Sequence, residues 1–166
     1  RGQINYLQEH IEQKKIIYQR YKEGVKDLPA KMNPWEENNS IPNFWMSCLL
    51  IDRDSICKNL RSDKEYLYIS HQGKSCPSEI LEALSYFNAE GRPIWKPMHM
   101  QPIYRYHPFI TENGNGRGRS NAYIDENVCM SVSEDIFSRG LCLPSDNKMT
   151  EDEQKQVIEI IHRCFL

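Results

Sequence analysis

No run of apolar residues in these 166 positions approaches the length of a membrane span, and no charged-then-apolar leader opens the chain. Neither charge is in excess: 21 Lys plus Arg stand against 23 Asp plus Glu, and a net charge of -2 gives no ground for a nucleic-acid or anionic-membrane partner. The six cysteines, Cys48, Cys57, Cys76, Cys129, Cys142 and Cys164, form no Cys-x-x-Cys pair, so no metal site is expected from spacing. Reduced thiols of a cytoplasmic protein are the expectation, because a chain of this length can build a core without disulfide staples. No internal repeat is visible, and the length suits one domain.

What is present is an alternation of helical and strand-like patterns. Ile4, Leu7, Ile11, Tyr18, Tyr21 and Val25 recur three and four apart, which predicts a long amphipathic helix ended by Gly24 and Pro29, with Lys14 interrupting its apolar stripe. Phe44 to Ile51 is apolar on both faces, as a central strand is, and Tyr66 to Ile69 reads as a second strand. Between them, Ile56, Cys57 and Leu60 predict a short helix over Arg53 to Asp63. Pro77 suits a first helical position with Cys76 or Ser75 as cap; Ile80, Leu81, Leu84 and Phe87 form the buried stripe and Gly91 the stop. Ser131 to Glu134 and Thr150 to Glu153 fit capping boxes. The first opens a short helix with Ile136 and Phe137 inside, closed by Gly140, before a strand over Leu141 to Leu143. The second opens a last helix with Val157, Ile158, Ile161, Cys164 and Phe165 on one face. The pattern predicts an α/β fold, a short, mostly antiparallel sheet packed with helices.

The segment Arg92-Pro-Ile-Trp-Lys-Pro-Met-His-Met-Gln-Pro-Ile-Tyr104 has neither period, and its three prolines predict a stiff, extended path excluded from the middle of a sheet. A rigid loop of this kind presents Trp95, His99 and Gln101 from a preorganised backbone. The stretch 111–120 has three glycines and nothing to bury, and is expected to be a flexible loop open to proteolysis.

These features resemble, in order, the C-terminal part of the DegT/StrS family of pyridoxal-phosphate-dependent nucleotide-sugar aminotransferases. The resemblance runs through Arg1-Gly-Gln-Ile-Asn-Tyr-Leu7, the Trp-bearing strand Asn43-Phe-Trp-Met-Ser-Cys-Leu-Leu-Ile51, the Trp95-Lys-Pro-Met-His-Met-Gln-Pro102 loop, Gly140-Leu-Cys-Leu-Pro-Ser145 and the final helix. An insertion-like stretch from Pro108 to Met130 falls outside it. The loop is similar to that of members making bacillosamine-type 4-amino sugars. The resemblance implies the small C-terminal domain, 1–166, of an enzyme that moves an amino group, from glutamate, to a 4-keto-6-deoxy sugar nucleotide. It also implies a homodimer.

A pyridoxal phosphate enzyme needs a lysine that condenses with the cofactor, an acid for the pyridine nitrogen and a donor cradle for the phosphate. The sequence shows no such set. In the resembled family these groups lie in the larger N-terminal domain, so this chain, opening on Arg1 without Met, reads as a fragment without catalytic residues of its own and inactive alone. Its contribution would be substrate binding. By the resemblance His99 faces the sugar nucleotide, although a histidine between Met98 and Met100 also suits a buried hydrogen bond. Arg92 and Lys96 suit a diphosphate or a carboxylate, or a plain solvated surface. Trp95 suits stacking on a uracil or sugar face, or core packing. Cys76 is better read as a cap than as a nucleophile. A nucleotide-binding module or an interaction domain built on the first helix would equally lack catalytic groups.

Overall fold

A computed structural model describes residues 2, 4–35, 39–61, 66–104, 107–110, 117–119 and 131–166. Its elements are helix α1 (Leu7–Gly24), strands β1 (Ala30–Met32), β2 (Ser47–Ile51), β3 (Lys58–Arg61) and β4 (Tyr66–Ile69), and helix α2 (Pro77–Tyr86). Strands β5 (Arg92–Pro93), β6 (Pro108–Ile110) and β7 (Arg117–Arg119) follow, then helix α3 (Val132–Arg139), strand β8 (Gly140–Leu143) and helix α4 (Glu151–Arg163). The chain forms two compact units, Arg1–Pro93 with Arg139–Leu166, and Ile94–Ser138. Among the described residues no helix is long and apolar enough to cross a membrane.

The first unit is built on a four-stranded sheet of order β1-β2-β8-β5, antiparallel at every pairing, which is the short antiparallel sheet expected. β8 is buried at all its positions and β2 at all but Cys48, so the two runs with apolar residues on both faces take the centre. β5 takes an edge, where the missing N–H of Pro93 interrupts no ladder.

Helix α1 is fastened by polar groups one and two turns apart. Tyr18 Oη donates to the Asn33 carbonyl and Tyr21 Oη to the Pro144 carbonyl, each at 2.7 Å. Lys14, the break in the apolar stripe, donates to the Ser145 carbonyl. α4 lies along α1: Gln154 Nε2 donates to the Ile17 carbonyl at 2.7 Å, and His162 Nε2 meets the Gly24 carbonyl at 2.7 Å. Glycine at 24 permits this approach, since a Cβ there would sit 2.5 Å from Ile158 Cδ1. Ile17, Tyr21, Leu49, Ile51, Leu141, Val157 and Ile161 make up much of the shared core.

Caps behave as the sequence implies. Cys76 Sγ accepts from Glu79 N at 3.4 Å ahead of Pro77, and Thr150 and Glu153 form a complete capping box. Ser131 and Glu134 do the same for α3, with Ser131 N donating to Glu134 Oε2 at 2.7 Å and Glu134 N to Ser131 Oγ at 3.3 Å.

Other expectations need correction. Of the helix expected over Arg53 to Asp63, the described residues 53–61 are not helical: a single 3-10 turn, Arg53–Ser55, leads into β3, which pairs antiparallel with β4. The strand expected from Phe44 starts at Ser47, because Phe44 has φ 52°, a left-handed backbone incompatible with an extended run. Rings hold it there, with Tyr18 at 5.2 Å and Trp35 at 5.8 Å between centroids. α2 ends before Gly91, by Asn88 at φ 60°, and Phe87 is 53% exposed instead of buried. Gly91 serves packing, since a Cβ there would lie 2.7 Å from Leu81 Cδ2. In α3 the buried residue is Asp135, with Ile136 and Phe137 only partly covered. Of the stretch 111–120, Arg117–Arg119 pair with Pro108–Ile110 as β7 and β6; its other positions, and 120–130 of the insertion-like stretch, lie outside the described residues.

Candidate functional site

The Pro-rich loop occupies the start of the second unit and is not extended throughout. Pro97 leads into a 3-10 turn over Met98–Met100, and Pro102 begins another over Pro102–Tyr104. The fixed φ of proline suits a turn as well as an extended strand, and hydrogen bonding decides between them here. Met100 N donates to the Pro97 carbonyl at 2.9 Å, and Gln101 N and Tyr104 N donate to the Met98 and Gln101 carbonyls at 3.0 Å. Gln101 Nε2 closes the loop on the Lys96 carbonyl at 3.2 Å. Gln101 therefore stiffens the loop from within.

His99 is brought to Glu134, with Nε2 3.0 Å from Oε1 and the His99 side chain 10% exposed. A carboxylate only accepts, so Nε2 carries the proton of this bond. Glu134 Oε2 meanwhile caps α3 through Ser131 N, so one carboxylate ties the loop histidine to a helix start. A hydrogen bond of this kind fixes the orientation of the ring. The ring borders a cavity of about 390 Å³ lined by Met98, His99, Tyr104, His107 and Pro108, within the size range of small-molecule sites. Tyr104 and His107 meet edge to face at 5.6 Å and 74°.

The remaining candidates are placed differently. Trp95 is 63% exposed and Lys96 half-buried, both in the second unit with His99. Arg92 belongs to the first unit, on edge strand β5, ion-paired with Glu90, its side chain 73% exposed. Sequence reasoning did not identify Glu134, Tyr104 or His107. The capping motif marked Glu134 as a helix start, but nothing local links it to a histidine 35 positions earlier.

Among the described residues, the lysine with a lowered amine pKa is not placed to hold pyridoxal phosphate. Among the described residues Lys14 is the lysine held below its ordinary pKa, by burial, with the Asp146 charge opposing the shift. Its amine is tied to the Ser145 carbonyl, with Ser145 Oγ at 3.5 Å, which fastens α1 to the chain after β8 and offers the cofactor nothing.

Comparison with known proteins gives the family. The Bacillus subtilis protein EpsN, which bears the name of a pyridoxal phosphate-dependent aminotransferase, is 32% identical over 164 residues, 99% of this chain and 34% of EpsN. An aminotransferase of the DegT/DnrJ/EryC1/StrS type from Brucella abortus superposes with a TM-score of 0.64 at 18% identity, over 98% of this chain and 33% of its own. DesI, solved in the presence of its TDP-sugar product, gives a TM-score of 0.64 at 17% identity, over 98% of this chain and 33% of DesI. The chain thus spans about a third of the length of these relatives. With the family profile matching residues 1–162, the chain belongs to the DegT/DnrJ/EryC1/StrS aminotransferase family.

Proposed function

We propose that this chain is the small C-terminal domain of a longer pyridoxal-phosphate-dependent enzyme that moves an amino group, from glutamate, to a 4-keto-6-deoxy sugar nucleotide. The observation that carries the reading is the family match along residues 1–162 by a chain about a third as long as its relatives. The TDP-sugar named with DesI supports a nucleotide-linked sugar as the acceptor. The amino sugar would be of the bacillosamine type. The working enzyme would be a cytoplasmic homodimer in which the cofactor is held by residues outside this chain.

In this reading His99, fixed by Glu134, orients the sugar nucleotide at the cavity rim, and exposed Trp95 stacks on its base or sugar face. Lys96 faces the diphosphate. Arg92 pairs with an anionic group of one substrate in exchange for Glu90, a surface partner that holds it weakly.

The test is direct. The purified chain, mixed with stoichiometric pyridoxal phosphate and reduced with borohydride, is expected to carry no cofactor on any lysine by peptide mass spectrometry. Efficient trapping on one lysine of this chain would overturn the assignment of the cofactor to residues elsewhere.

A further inference from the structure

Away from the loop, the first unit brings together a set of soft ligands. Ile56 and Ser75 form a parallel bridge, with Cys57 N donating to the Ser75 carbonyl and Ser75 N to the Ser55 carbonyl, each at 3.0 Å. That bridge sets Cys57 beside Cys76. Cys76 is the N-cap of α2 and Glu79 sits three residues on, so both side chains face the same side of the first turn. The two thiol sulfurs and a Glu79 carboxylate oxygen all lie within 4.8 Å of one another, with Cys57 and Cys76 buried. A tetrahedral ion with sulfur at about 2.3 Å and oxygen at about 2.0–2.2 Å holds its ligand atoms roughly 3.5–3.8 Å apart, so one ion spans this set with small movements.

The surroundings complete the argument. Ser70 Oγ donates to Glu79 Oε1 at 2.7 Å and Ser75 Oγ to Glu79 Oε2 at 2.8 Å. These hydroxyls fix the carboxylate as outer partners fix metal ligands and leave lone pairs on both oxygens. Glu79 also lines a cavity of about 360 Å³ shared with Tyr68, Glu82, Arg163 and Cys164, so the carboxylate side of the set borders open space.

We propose that Cys57, Cys76 and Glu79 form a site for a soft divalent cation of the zinc class, which staples the chain before β3 to the start of α2. Two thiolates and a carboxylate select such an ion over magnesium or calcium, which take oxygen ligands.

Cobalt titration of the full chain under reducing conditions tests it. The expected result is a thiolate-to-cobalt charge-transfer band with visible transitions of a tetrahedral site, saturating at one equivalent and displaced by zinc. Cys57→Ser should abolish the band, and Ser70→Ala, at an exposed position, should weaken cobalt affinity about tenfold without disturbing the fold. Cys142→Ser, at the separate Cys48 and Cys142 pair with sulfurs 3.8 Å apart, should leave it unchanged. Absence of the band in the unsubstituted chain, its persistence in a folded Cys57→Ser variant, an unaltered affinity in Ser70→Ala or its loss in Cys142→Ser would each overturn the proposal.

Discussion

His99→Ala in the full-length enzyme is expected to slow amino transfer to the keto sugar nucleotide by roughly 100-fold while leaving the amino-donor half-reaction near its original rate. The imidazole is fixed by Glu134 at 3.0 Å and borders the loop cavity, so in the proposed reading its removal loses a positioned contact on the sugar side alone. The amino-acid half-reaction does not involve the sugar, and this separates positioning from general loss of structure, which would lower both rates together. Glu134→Gln keeps an acceptor for Ser131 N but weakens the hold on the ring, and should give a smaller defect in the same half-reaction. Arg92→Ala, if Arg92 meets the amino-acid carboxylate, impairs the other half-reaction, and Arg92→Lys restores it incompletely because the planar fork is lost. Half-reaction rates from rapid mixing decide the matter. Unchanged sugar kinetics in His99→Ala would leave His99 as a packing residue of the loop.

The largest effect on stability is expected at Tyr21. Its ring has no exposed surface in the core between α1, the sheet and α4, and its hydroxyl donates to the Pro144 carbonyl at 2.7 Å. Burial holds the phenol well above its ordinary pKa, so it remains a donor at any working pH. Tyr21→Ala opens a cavity and strands the carbonyl at once, and should cost about 3–5 kcal/mol. Tyr21→Phe keeps the ring and loses only the hydrogen bond, for about 1–2 kcal/mol. Urea unfolding of the two variants separates packing from the tie to the segment after β8. Equal losses would place the whole effect in the hydroxyl.

The legible parts of the sequence were those whose information is local. Pro77 behind Cys76 and the Thr150 to Glu153 box mark helix starts through hydrogen bonds formed within four residues, and both are present. The run with apolar residues on both faces at β2 was read as central and is central. The Ile56, Cys57 and Leu60 spacing fits a helix face and a strand equally, and pairing with Tyr66–Ile69 decides for the strand. The end of α2 was assigned to Gly91 because glycine is the usual left-handed residue, yet Asn88 takes that conformation. The candidate site was only half legible. His99 stood out on its Pro-rich loop, but its partner Glu134 and the cavity residues Tyr104 and His107 come together through tertiary packing. Cys57 and Cys76 likewise lie too far apart in sequence to suggest a ligand pair, and the Ile56 to Ser75 bridge joins them.

The central claim is tested most directly by product formation. Full-length protein loaded with pyridoxal phosphate, glutamate and a nucleotide-linked 4-keto-6-deoxy sugar should yield the matching 4-amino sugar nucleotide by mass spectrometry, with 2-oxoglutarate formed in equal amount. Folded, cofactor-loaded protein that consumes glutamate with another keto acceptor, yet forms no amino sugar from nucleotide-linked keto sugars, would contradict the account.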